Sequence, residues 1–299
     1  MHILKGYTKQ EISWMMYDWA NSAHSVIIVT LLPIFFDTVA GYTADSVSSM
    51  STWGYATSIA MLIVALAAPF LGVFGDIRGM RKKLFSFFML LGVAACAGMA
   101  FTPGMDFTSG PVAAGKVASL ILVLYIVSVI GFDASAIYYD AFLTDVTTED
   151  RMDKVSTMGY GLGYIGGSTI PLLIFLIMNL IGVPMLTCLA FVFGLTAVWW
   201  LAFSLPLLKN CEQTSGKPYE KGDVARSIKG VGTTIKEIIA NKPMLIYILS
   251  YFFYIDGVHT VISMATTYGT NLGLDSTGMM LALLLVQILG LPFCLLYMK

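Results

Sequence analysis

Charge is what this sequence has least of. Only 12% of its 299 residues are Asp, Glu, Lys or Arg, about half the ~25% usual in a soluble domain. That scarcity, with 57% hydrophobic residues and a mean hydropathy of +0.80, excludes an ordinary soluble fold and leaves a bundle of membrane helices. Histidine is scarce too, with three residues, and the four cysteines (Cys96, Cys188, Cys211 and Cys294) are scattered. No Cys-x-x-Cys pair or His cluster is present, so neither a metal site nor a disulfide framework is expected. The cysteines read as reduced thiols, Cys211 in a charged loop and the others in apolar stretches. No cofactor is implied. A net charge of −1 gives no reason to expect a nucleic-acid partner.

Apolar runs, by contrast, are abundant. A spanning helix needs about 20 mainly apolar residues, and eight segments qualify: 12–37, 51–75, 84–102, 116–143, 156–179, 184–206, 243–268 and 277–298. Lys5 and Lys9 precede the first run as in a signal peptide. Its length, with Asp18 and Asn21 inside it, argues against cleavage. Sixteen of the 17 basic residues fall on one side, including Lys209, Lys217, Lys221, Arg226, Lys229, Lys236, Lys242 and Lys299; only Lys116 lies opposite. Cytoplasmic loops carry the excess of Lys and Arg. The N-terminus is therefore expected in the cytoplasm of a multi-pass protein, in a bacterial-type plasma membrane. The organisation expected is a six-helix half over 1–206, a cytoplasmic linker over 207–242, and the start of a second half over 243–299. Within the linker, Ile228, Val231, Ile235, Ile238 and Ile239 recur at helical spacing among Lys and Arg. That suits a short helix on the membrane surface, although Gly230 and Gly232 weaken it, and a solvated linker fits equally well.

The first apolar run opens with "YDWANSAHS". Asp18, Asn21, Ser22 and Ser25 are spaced i, i+3, i+4, i+7 and share one helix face. The seventh run reads "YIDGVHTVIS", and Asp256, His259, Thr260 and Ser263 repeat those offsets 238 residues later. The eighth echoes the second, Pro292-Phe293 matching Pro69-Phe70. Repeated helical units with a solute site between them build many secondary transporters. A charge at the bilayer centre costs at least ~2.5–3.5 kcal/mol, so an intramembrane acid is a functional candidate. In the fourth run Asp133 and Asp140 lie seven apart on one face, candidates for a solute or proton pathway. Asp145 is expected at the cytoplasmic mouth, capping or pairing with Arg151. Gly159, Gly163 and Gly167 are spaced four apart, a smooth face for close helix packing. The formal Gly161-x-Gly163-x-x-Gly166 fingerprint lacks its strand and its acid, so no dinucleotide is implied. Trp19, Tyr138, Tyr160 and Tyr254 could line a site, but aromatic residues at helix ends serve more often as interfacial anchors.

These pieces resemble the major facilitator superfamily and, within it, the vacuole effluxer family of fungal vacuolar amino-acid exporters and bacterial members. "YDWANSAHSVIIVTLLPIFF", "YYDAFLTDVTTEDRMDKVSTMGYGLGYIGG" and "FFYIDGVHTVISMATTYG" carry the likeness. "GVFGDIRGMRKK" resembles the superfamily's gating-loop motif through Gly72, Asp76, Gly79 and Arg81, with departures at Ile77 and Met80. Asp76 can pair with the basic residues opening the third helix. The Gly-Pro drug-antiporter signature is absent from the fifth run, which weakens drug efflux but keeps a drug or sugar transporter of the same superfamily as an alternative. The resemblance implies an all-α, major-facilitator-type bundle with eight of twelve helices present, the chain stopping where the second gating loop would begin. That ending reads as a fragment or a truncated product. The implied function is secondary transport of small solutes by alternating access, with amino-acid efflux and proton coupling as its finer forms. Different classes are an intramembrane aspartyl enzyme, lacking its Gly-x-Gly-Asp partner at "GFD" 131–133, and a receptor or channel-like scaffold.

Overall fold

A computed structural model describes residues 4–43, 46–218 and 222–297. Lys221 and Lys299, counted above among the one-sided basic residues, lie outside them. The architecture is a helical bundle; among the described residues there is no strand, only a single backbone bridge between Ile77 and Lys217. The helices are α1 (Lys9–Ala40), α2 (Ser46–Gly75), α3 (Arg81–Met99), α4 (Pro111–Val146), α5 (Met152–Gly163), α6 (Thr169–Leu180), α7 (Met185–Asn210), α8 (Asp223–Ala240), α9 (Lys242–Asn271) and α10 (Ser276–Tyr297). A wide i→i+5 turn over Tyr164–Ser168 joins α5 to α6, so these two form one bent span. Among the described residues, eight spans are long and apolar enough to cross a bilayer.

Helix α1 begins three residues before the apolar run because its first turn is closed by a reciprocal cap. Thr8 N–H donates to Glu11 Oε2 at 2.7 Å, and Glu11 N–H donates to Thr8 Oγ1 at 3.1 Å. The signal was legible as Thr8-x-x-Glu11. Helix α1 is the hub of the bundle, packing against α4, α5, the wide turn, α7 and α9. Its interior residues, among them Trp14, Tyr17, Ile27, Leu31 and Phe35, are buried on every side.

Glycines set how closely the hub is approached. A Cβ on Gly163 would stand 2.5 Å from Ser22 Oγ, and one on Gly159 or Gly167 would run into Asp18 or the Trp19 carbonyl. The glycine face expected on the fifth span is thus the groove that receives the polar stripe of α1. On the far side, a Cβ on Gly131 would meet the backbone of Gly92 at 2.5 Å, which lets α3 and α4 touch along their lengths. The outer faces are apolar: Leu66, Val198, Ile246 and Phe253 are all exposed, as suits contact with lipid.

After α7 the chain lies across the base of the bundle as a strap, residues 211–217. Gln213 Oε1 accepts from the backbone N–H of Gly79 at 2.8 Å and of Arg81 at 3.3 Å, while its Nε2 donates to Gly75 O at 3.0 Å. Lys217 N–H donates to Asp76 O, and Arg78 N–H donates to Lys217 O. Gly79 is left-handed at φ +79°, so the turn it makes favours glycine. Cys211, expected in a charged loop, is instead fully buried where α7 ends, its carbonyl accepting from Lys82 Nζ at 3.1 Å. Beyond the strap, the linker forms α8 despite Gly230 and Gly232, with Ile235 and Ile239 exposed.

Candidate functional site

A cavity of about 400 Å³ opens between the first helices and the last. Its walls are Ser22, His24, Ser25, Val26 and Val29 of α1, Met61 of α2, and Tyr125, Val129, Phe132 and Asp133 of α4. Tyr160, Tyr164 and Ser168 of the bent span close one side, and His259, Ile262 and Ser263 of α9 with Gln287 of α10 close the other. That volume lies within the range of small-molecule sites, and the mixture of apolar walls with a few polar groups is typical of them.

The structure divides the residues singled out from the sequence. Ser22 and Ser25 of the first stripe, His259 and Ser263 of the second, and Asp133 come together around this cavity. Ser25 and Ser263, the last members of the two stripes, both reach it. Asp18, Asn21, Asp140, Asp256 and Thr260 are not among its lining residues. Asp18 is buried at the seam of α1, α4 and α5, where Tyr139 Oη donates to its Oδ2 at 2.8 Å. Trp14 stacks on Tyr139 with ring centroids 4.3 Å apart and donates its indole N–H to the Tyr139 carbonyl at 2.9 Å. Asn21 is buried nearby, while Asp140, Asp256 and Thr260 are exposed. Of the aromatics, Tyr160 lines the cavity; Trp19 stacks on Trp199, Tyr138 donates to Leu71 O at 3.0 Å, and Tyr254 is exposed.

His24 was not anticipated. It lies off the stripe spacing of α1, yet it lines the cavity at 2% exposure, its ring stacked on Phe132 at 4.8 Å and tilted toward Trp200 at 5.1 Å. Neither ring nitrogen has a hydrogen-bond partner among the described residues, and the same holds for Gln287 Oε1. Buried polar groups are normally satisfied, so these atoms mark capacity that the fold itself does not use.

The gating-loop residues sit at the strap. Gly72 and Gly79 have open space around them, and Asp76 is exposed, 3.9 Å from the Arg81 guanidinium. Arg81 is buried. Its Nη1 donates to the Asp145 carboxylate, to Ala141 O at 2.9 Å and to Ser215 Oγ at 3.2 Å, and its guanidinium lies over the Phe142 ring. The other Asp145 oxygen accepts from Thr214 and Ser215, backbone and hydroxyl alike, at 2.8 to 3.0 Å. This corrects the expected pairing of Asp145 with Arg151. Arg151 instead grips Glu11 through two nitrogens at 2.8 and 2.9 Å, with Thr147 donating to the same carboxylate at 2.7 Å. The cause is distance in space: the turn after α4 points Arg151 at the first turn of α1, and Asp145 faces α3.

Among the described residues no group of His, Cys, Asp and Glu could hold a metal ion. Comparison with known proteins bears on the whole chain. The family model described as "Vacuole effluxer Atg22 like" matches residues 7–151 and 144–297. The uncharacterized MFS-type transporter YxiO of Bacillus subtilis (strain 168) is 39% identical over 305 aligned residues, which cover 99% of this chain and 68% of that protein. Autophagy-related protein 22-1 of Penicillium rubens is 25% identical over 46% of this chain and 25% of its own length. The protein of the same name from Sclerotinia sclerotiorum is 26% identical over 38% and 22% respectively. With matches to both its early and late helices, and a relative this similar along nearly its full length, the chain belongs to the vacuole effluxer Atg22-like family.

Proposed function

We propose that this protein is a secondary transporter that carries small solutes across a membrane through the cavity between α1, α4, α5, α9 and α10, by alternating access. The observation that carries the reading is the convergence of both polar stripes, through Ser25 and Ser263, on one cavity that also holds Asp133. Intramembrane polar groups cost free energy to place there and mark solute or ion pathways, and a site shared between early and late helices suits rocking of one half against the other. The name of the Bacillus relative, an MFS-type transporter, favours the same reading. Amino acids are the solute class implied by the family resemblance, and Asp133, Asp18, Asp140 and Asp256 are the candidate proton carriers. The reading assigns a chemical step to none of them. The six-helix half, the linker and the second half are the moving and joining parts, with the basic termini and loops in the cytoplasm and the apolar flanks in a bacterial plasma membrane. The strap ties the turn at Gly79 and Arg81 to Asp145 at the end of α4, where such rocking would have to part them.

Reconstitution into liposomes loaded with a pH-sensitive dye tests it. Amino acids, sugars and organic cations are added in turn. Solute-driven proton movement that disappears in Asp133→Asn supports coupled transport. Uptake of radiolabelled solute without a dye signal supports transport without proton coupling, and silence in both assays overturns the reading.

A further inference from the structure

The cavity is unbalanced in charge. Among the described residues Asp133 is the one acidic side chain that lines it, no Lys or Arg does, and the two lining histidines, His24 and His259, make no ion pair with it. Nor does Asp133 have an ion-pair partner anywhere among the described residues. An ionised carboxylate held away from bulk water without a counter-charge is unfavourable. The space beside it is walled by Phe132, Val129 and Ile262, and Tyr125, Tyr160 and Tyr164 bring aromatic rings to the same cavity. Ring faces of this kind attract cations. The spare hydrogen-bonding atoms, both nitrogens of His24 and Gln287 Oε1, come from opposite walls, α1 and α10.

Resting on the transport reading above, we infer that the cavity takes a small solute bearing a protonated amine, with Asp133 as its counter-charge. The ammonium group of the solute replaces the missing partner of Asp133. Its apolar body lies against the Phe132 wall, and its remaining N–H or O–H groups meet Gln287 Oε1 and His24. A carboxylate-only solute of the same size meets the charge of Asp133 with no Lys or Arg in the described lining to offset it.

A labelling assay on the full chain tests this. Ser25→Cys puts a thiol in the cavity wall, and peptide-resolved mass spectrometry separates its reaction with a small thiosulfonate reagent from that of the native cysteines. The rate is measured alone and with each of three probes of matched shape: 2-phenylethylamine, 2-phenylethanol and phenylacetate. The expected result is a rate reduced about ten-fold by the amine, equivalent to ~1.4 kcal/mol, and less than about two-fold by the alcohol or the acid. Adding Asp133→Asn should bring the ratio of liganded to unliganded rate with the amine back to about one, and Asp140→Asn, outside the lining, should leave the ten-fold protection intact. Equal protection by all three probes, stronger protection by phenylacetate, or amine protection that survives Asp133→Asn overturns the inference and leaves the transport reading standing. A residue-25 thiol that never reacts in the native chain shows that water does not reach the cavity, and overturns both.

Discussion

Arg81 passes its guanidinium by the exposed Asp76, 3.9 Å away, and delivers it to Asp145, 64 positions further along the chain. Both partners of the Arg81–Asp145 pair are buried, the Asp145 side chain completely. The loop's own acid is therefore the lesser partner, and the tie that matters joins the start of α3 to the end of α4.

This ranking is measurable. Removing one member of a buried ion pair costs about 3 kcal/mol or more because the other is left uncompensated, whereas an exposed pair is worth about 0–1 kcal/mol. Asp145→Asn should lower the melting temperature in detergent markedly, and Asp76→Asn should barely move it. Equal losses would put Asp76 back as the principal partner.

A second tie fastens the N-terminus. Arg151 bonds Glu11 across 140 positions. In a double-mutant cycle, Glu11→Gln and Arg151→Met should show coupling of about 1–2 kcal/mol, as residues in direct contact do. Asp145→Asn combined with Arg151→Met should be additive to within about 0.5 kcal/mol. Coupling in the second cycle would restore the pairing expected from sequence.

The groove for α1 predicts an asymmetry among glycines. A Cβ on Gly167 meets the backbone of α1, which cannot rotate away as a side chain can. Gly167→Ala should cost about 1–3 kcal/mol as an overpacked contact. Gly230, mid-way along α8 with no neighbour within 4 Å, is the control; alanine there should be neutral or stabilise by up to about 1 kcal/mol. Thermal unfolding of the two variants side by side decides it.

Burial pushes the Cys211 thiol up to about 12, against a smaller opposing pull from Lys82. An ordinary exposed thiol, ionising near pH 8.5, reacts much faster with maleimide at about pH 9 than at pH 7. Cys211 stays almost wholly protonated across that window, so its labelling in the native chain should be far slower than that of an exposed thiol at every pH within it. The unfolded chain releases this proton first, so the thiol's contribution to stability is lost as pH climbs from the ordinary thiol range toward the folded value. Labelling at residue 211 in the folded protein as fast as that of an exposed thiol would contradict the burial.

Much of the fold could be read from residue spacing, because length and apolarity define spans without reference to anything distant. The eight spans and the glycine face were of this local kind. Helix ends moved outward where caps such as Thr8-x-x-Glu11 added a turn. Which charge meets which was not local: Arg151 and Arg81 are equally plausible partners for Asp145 until the direction of the turn after α4 is known. His24 was missed for a related reason. A stripe argument presumes one buried face, but α1 is enclosed on all sides and each face has its own neighbour, so the cavity draws on Ser22 and Ser25 from the stripe and on His24 from beside it.

The strap over residues 211–217 makes the connection between the two groups of helices more than a leash. Gln213 and Lys217 hold the turn between α2 and α3, while Thr214 and Ser215 hold the end of α4. Any rocking that separates that turn from α4 must first unbutton these bonds in sequence. Any pull from the later helices on Lys217 arrives at the same clasp before it reaches α3 and α4.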